Sequence, residues 1–94
     1  MNDTKEVIRE ITVINKLGIH ARPSSMIVQT ANKYNADLFV SHDKEDEVNA
    51  KSIMGVMMLA AGQGTKLRFR AVGPDANELL DEIEKLIKSK FNEE

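Results

Sequence analysis

Lys66-Leu67-Arg68-Phe69-Arg70-Ala71 places an apolar residue at every second position and a cation before each of them. A side-chain period of two belongs to a β-strand, with Leu67, Phe69 and Ala71 on one face and Lys66, Arg68 and Arg70 on the other. One buried face and one wet face is the pattern of an antiparallel sheet; a parallel sheet, covered on both sides, is apolar throughout. The remaining sequence must therefore supply partner strands and a layer to cover the dry face.

It does so on both sides. Upstream, the Gly62-Gln63-Gly64 turn closes a short helical pattern running from Ser52 to Leu59. Downstream, Asp75 begins a helix whose apolar stripe is Leu79, Leu80, Ile83, Leu86, Ile87 and Phe91. Val7 to Ile14 is rich in β-branched residues, with Ile11 and Val13 on one face and Thr12 and Ile14 on the other, and Gly18 ends this strand. From Ala21 to about Tyr34, Ile27, Val28, Ala31 and Tyr34 recur at helical spacing, with Pro23 in the first turn, where proline is tolerated. Leu38 to Ser41 and Val48 to Ala50 are predicted as short strands. The polar run His42 to Glu47 between them reads as a hairpin loop whose charge is solvated and has no further role. The predicted order is β-α-β-β-α-β-α. It implies a two-layer α+β sandwich: an open antiparallel sheet covered on one face by three helices. No linker, repeat or low-complexity tract interrupts it, so one domain is expected over residues 1–94.

Composition narrows the chemistry. A chain of 94 residues buries a modest core and leaves little surface for an elaborate cleft. It has no cysteine, and its two histidines, His20 and His42, are far apart, so neither a thiolate site nor a spaced histidine metal site is expected. No cofactor is expected either. The net charge of −2, with both signs mixed along the chain, and the scarcity of aromatic residues argue against nucleic-acid binding. The charged start and the absence of a long apolar run suggest no membrane association and a cytoplasmic location.

Gly18-Ile19-His20-Ala21-Arg22-Pro23 sets a histidine between a glycine turn and a helix start. A helix N-terminus has unpaired amides and a partial positive charge, which suits phosphate. The amides of Ala21 and Arg22 are candidates to face a group carried by His20. The Arg22 guanidinium supplies a planar cation for phosphoryl oxygens. Positive surroundings also disfavour a second proton on the ring, leaving a nitrogen lone pair nucleophilic. The plainer alternative is that His20 merely caps the helix, Pro23 starts it and Arg22 is a surface cation.

Ser52 falls where the second short helix begins, and serine is a favoured N-cap. A phosphate added there would change surface charge while leaving the fold intact, the pattern of a regulatory mark. Ile53, Met54 and Met57 share one side of this helix, and Val56, Leu59 and Ala60 suit a buried side. Part of the first group is expected to be exposed, and flexible methionines on a small apolar patch suit a protein that docks on several partners in turn.

Together, Gly18-Ile-His20-Ala-Arg22-Pro23, Val28-Gln-Thr-Ala31 and Asn49-Ala-Lys-Ser52-Ile-Met-Gly-Val-Met57 resemble the HPr family. These are the histidine-containing phosphocarriers of the bacterial phosphoenolpyruvate-dependent sugar phosphotransferase system. The resemblance runs from about Val7 to Phe91. It implies an open-faced β-sandwich and a stoichiometric carrier rather than a free-standing enzyme. By that resemblance His20 takes phosphate at Nδ1 from phospho-enzyme I and passes it to an EIIA domain, with Arg22 in the active centre. Ser52 corresponds to the serine modified by HPr kinase/phosphorylase, whose phosphorylated form lowers transfer and can bind a transcriptional regulator. Ile53, Met54 and Met57 correspond to the docking surface, and a monomer is expected. Three positions depart from the usual pattern: Ser24-Ser25, expected to have little effect; Met58, which enlarges the apolar patch; and a longer, more acidic 42–47 loop.

Two other readings remain at this level. A regulatory or nitrogen-type phosphorelay carrier, without a sugar-transport output, would use the same histidine. A homologue that only binds would dispense with it, whereas His20 is present.

Overall fold

The alternating segment becomes the central strand. In the computed structural model, which describes residues 5–43 and 46–93, the chain forms β1 (Glu6–Thr12), α1 (Ala21–Ala31), β2 (Asp37–His42), β3 (Val48–Asn49), α2 (Ile53–Met57), β4 (Lys66–Val72) and α3 (Ala76–Lys88). A 3₁₀ turn, Lys90–Asn92, follows. The four strands form one antiparallel sheet in the order β1-β4-β2-β3. The α+β architecture is therefore the expected one.

Register explains the two faces. Leu67, Phe69 and Ala71 pair with Ile11, Arg9 and Val7 on one side and with His42, Val40 and Leu38 on the other, so these residues share the helix-covered face. Phe69, Leu38, Val40, Leu79, Leu80, Ile83 and Ile87 are all buried there. Each such side chain contributes about 1.5–3 kcal/mol by leaving water. Arg9 lies on the same face at its margin, where Nη1 donates to Asp81 (2.9 Å) and Glu84 (3.0 Å) on α3. On the open face Arg70 stacks 4.6 Å from the Phe39 ring centre and donates to both carboxylate oxygens of Glu47 and to Glu6.

Several boundaries shift for local reasons. Regular β1 pairing stops at Thr12, two residues short of Ile14, although Val13 still exchanges backbone bonds with Gly64 and Thr65. Helix α1 stops at Ala31 instead of Tyr34: the Lys33 and Tyr34 amides donate only three residues back, to Thr30 and Ala31, and the Asn32 side chain takes the Val28 carbonyl. Ala60, expected on the buried side of α2, is exposed with φ of 49° in the turn that follows. Lys44 and Glu45, the centre of the 42–47 loop, lie outside the described residues. Its flanks are more than solvated: Glu47 holds Arg70, and His42 Nε2 lies 2.9 Å from the Leu59 carbonyl oxygen. Ser24 fits the first turn of α1 but is buried, and its hydroxyl has no partner among the described residues, at a cost of about 1–3 kcal/mol.

The Tyr34 hydroxyl donates to Glu82, joining the residues after α1 to α3. That hydrogen bond, then burial, pushes the phenol up to about 12. Tyr34 is the single tyrosine, so ultraviolet absorbance of its phenolate reports this contact alone. Glu82→Gln is expected to return the ionisation toward the ordinary 10. Because the folded value lies above the unfolded one, the stabilisation is complete below pH 10 and is lost as pH rises through about 12. An unchanged titration in the variant would contradict the contact.

Candidate functional site

The Gly18–His20 segment is fixed from beneath. Gly18 takes φ of 72°, the Ile19 amide donates to the Ala61 carbonyl (2.8 Å), and Ile19 is buried. His20 then falls at the N-cap of α1 with extended φ and ψ, and its backbone carbonyl accepts from the Ser24 amide at 2.9 Å. Its side chain makes no capping hydrogen bond. The capping alternative for the ring is thereby removed. The ring is instead half-exposed in a cleft of about 570 Å³ lined by Lys16, Leu17, His20, Arg22, Asn92 and Glu93.

Ala21 and Arg22, both exposed, are the first helical residues, and helix geometry leaves their amides without intrahelical acceptors. Pro23, next in line, has no amide to satisfy. The Arg22 guanidinium reaches across the cleft, donating from Nη2 to the Phe91 carbonyl at 2.8 Å, with Nη1 3.6 Å from Glu93. His20, Ala21 and Arg22 thus lie together at the start of α1.

The sequence reading missed Glu93. Helix α3 ends at Lys88, so Phe91, placed by its spacing on the helical stripe, is not helical. Lys90, Phe91 and Asn92 all have positive φ, of 58°, 55° and 59°. This left-handed turn drives the Phe91 ring into the core and returns the chain over the cleft. Glu93 Oε2 then lies 2.8 Å from His20 Nε2, and Oε1 accepts from Asn15 Nδ2 at 3.1 Å. Asn15, itself buried, also donates to the Gly18 carbonyl at 2.8 Å. Burial works to raise the Glu93 pKa, but the hydrogen bonds from His20 and Asn15, with Arg22 nearby, hold it below the usual carboxylate range. The surroundings of His20 are therefore not uniformly positive.

Ser52 caps α2, its Oγ accepting from the Gly55 amide at 3.2 Å. It does not line the His20 cleft. Beside it, Ile53, Met54, Met57 and Met58 are exposed, with Met54 at 71% and Met58 at 75%. Ile14 and Leu17 are exposed as well, and the sequence reading did not single them out. Ile14 lies on the strand face opposite Ile11 and Val13, where its alternation puts it, whereas Leu17, just before the Gly18 turn, stands outside any periodic stripe. Among the described residues no cluster could hold a metal ion, and no helix is long and apolar enough to cross a membrane.

A family model described as "PTS HPr component phosphorylation site" matches residues 7–89. The chain is 48% identical over 85 residues to a phosphocarrier protein HPr of Xylella fastidiosa, covering 90% of this chain and 94% of the relative. It is 44% identical over 88 residues to one of Treponema pallidum, covering 94% and 99%. Among solved structures, HPr of Thermoanaerobacter tengcongensis superposes with a TM-score of 0.85 at 44% identity, covering 96% of this chain and 98% of that one. HPr of Bacillus anthracis does so with 0.82 at 40% identity, covering 87% and 96%.

Proposed function

This chain belongs to the HPr family of phosphotransferase-system phosphocarriers, and from that premise we propose that His20 is the residue that carries the phosphoryl group. The observation that carries this reading is a histidine at the N-cap of α1 whose ring takes no part in capping. A phosphoryl group on Nδ1 would meet the amides of Ala21 and Arg22 and the positive end of α1. The Arg22 guanidinium would exchange the neutral Phe91 carbonyl for phosphoryl oxygens, a charge-assisted and stronger bond. Phosphoryl transfer depends mainly on positioning and charge neutralisation, so a small carrier can leave the remaining machinery to its partners.

Those partners are phospho-enzyme I as donor and an EIIA domain as acceptor, docking on Ile53, Met54 and Met57. Incubation with phosphoenolpyruvate and enzyme I should add one acid-labile phosphate, seen by intact mass, and subsequent EIIA should remove it. No labelling of the wild-type chain would end this reading.

Ser52 is proposed as a regulatory site for HPr kinase/phosphorylase, its phosphoserine form being the one a transcriptional regulator would bind. Its Oγ is an acceptor in the cap, leaving its hydroxyl proton uncommitted, and the side chain is not fully buried. A phosphate there places about two negative charges beside the exposed Met54 and Ile53, which should weaken apolar docking. ATP and the kinase should give an acid-stable phosphate that Ser52→Ala lacks. The same variant should lose about 1 kcal/mol in urea unfolding through the missing cap. Equal labelling of Ser52→Ala and wild type would rule the site out.

A further inference from the structure

We infer that Glu93 is the positioning residue for the His20 imidazole: its carboxylate accepts the Nε2–H and so presents Nδ1 as the nucleophile. This inference rests on the carrier reading above. The tautomer follows from the partner. An ionised carboxylate only accepts hydrogen bonds, so the ring nitrogen 2.8 Å from Oε2 is the one bearing hydrogen. The lone pair is left on Nδ1.

Glu93 is itself held. Its side chain is 15% exposed, Oε1 is tied to Asn15, and Asn15 is tied to the Gly18 carbonyl of the segment that carries His20. Carboxylate and ring are therefore referenced to the same loop. The approach of Glu93 also requires three successive non-glycine residues at positive φ, a conformation that persists only where its surroundings impose it. The buried Phe91 ring does so here.

The arrangement suits the transfer step. The Nδ1 lone pair attacks phosphorus, the bond from phosphorus to the donor breaks, and its electron pair stays on the donor. The Nε2 proton does not move, so the ring becomes cationic as the new P–N bond forms. The Glu93 carboxylate faces that cation at hydrogen-bond distance, as an orienting acid does for histidine in other sites. The competing role is a cover that holds Arg22 away from phosphate, since Nη1 is 3.6 Å from the same oxygen. The two roles predict opposite signs.

Wild type, Glu93→Ala and Glu93→Gln should each be treated, as the full chain, with phospho-enzyme I and separately with inorganic phosphoramidate. The phosphorylated nitrogen of His20 is then read by NMR, with circular dichroism as a check on folding. Wild type should carry phosphate on Nδ1 with both donors. In Glu93→Ala, phosphoramidate should label Nδ1 and Nε2 together, and transfer from phospho-enzyme I should slow by roughly tenfold. Glu93→Gln keeps an acceptor oxygen and should restore Nδ1 selectivity with a smaller loss of rate. An alanine variant labelled on Nδ1 alone at an unchanged rate would overturn the inference. A faster one would overturn it in favour of the cover. If wild type takes nothing from phospho-enzyme I, the carrier reading fails instead, while phosphoramidate still reports nitrogen selectivity.

Discussion

Replacing His20 with alanine is expected to abolish acid-labile phosphorylation while leaving the fold intact. Loss should be complete because an acid-labile P–N bond needs a histidine, and the sequence has only one other. The other histidine, His42, has Nε2 2.9 Å from the Leu59 carbonyl oxygen and lies outside the cleft lined by Arg22. The effect on stability should be small. The His20 ring does not cap α1, and the Glu93 carboxylate it meets keeps its contacts to Asn15 and Arg22. Intact mass after phosphoenolpyruvate and enzyme I, alongside a urea titration, separates the two quantities. An acid-labile phosphate persisting on His20→Ala would move the site elsewhere.

A large structural effect is expected from Gly18→Ala. A Cβ at this position would stand 2.5 Å from the Ala61 carbonyl oxygen and 2.8 Å from the Gly62 Cα, both backbone atoms that cannot rotate away. The φ of 72° adds a left-handed penalty that glycine escapes. Strain of about 1–2 kcal/mol and overpacking of about 1–3 kcal/mol together predict a loss near 3 kcal/mol. For a domain of this size that corresponds to a fall in Tm of roughly 12–24 °C. Ile19 and His20 follow directly, so any relief taken up on this side of the clash shifts the ring relative to Glu93. Thermal unfolding within about 2 °C of wild type would refute the argument.

Much of this architecture is written in local periodicity. The β4 alternation, the α3 stripe and the helix start at Ala21 follow from residues a few positions apart, and tertiary packing agrees with them. The short helix behaves as its serine cap suggests. What escapes is set by long-range geometry. Phe91 stands four residues beyond Ile87, a spacing indistinguishable from another helical turn, and no glycine announces the left-handed residues that place it. Glu93 is distant from His20 in sequence, so its role exists only once that turn is made. Glu47 looked like loop charge because its partner, Arg70, lies on a strand whose neighbours are known only from the sheet order. Leu17 is exposed by the loop's path, which carries no periodic signal.

The left-handed turn also ranks parts of the molecule by how readily they open. Positive φ at Lys90, Phe91 and Asn92 costs of order 1 kcal/mol or more per residue, and the turn's own bonds are short-range: Asn92 to Ser89 and Glu93 to Lys90, each 3.0 Å. Against this stand the buried Phe91 ring and a few polar contacts, from Arg22 to the Phe91 carbonyl and from Asn15 and His20 to Glu93. Backbone amides around Phe69, by contrast, are paired on both sides within the sheet. Amide exchange should therefore proceed through a local event at residues 90–93 well below the free energy of global unfolding. The part of the protein that touches His20 is thus less protected than the central strand, so the ring can be uncovered and re-engaged many times without disturbing the sheet beneath it.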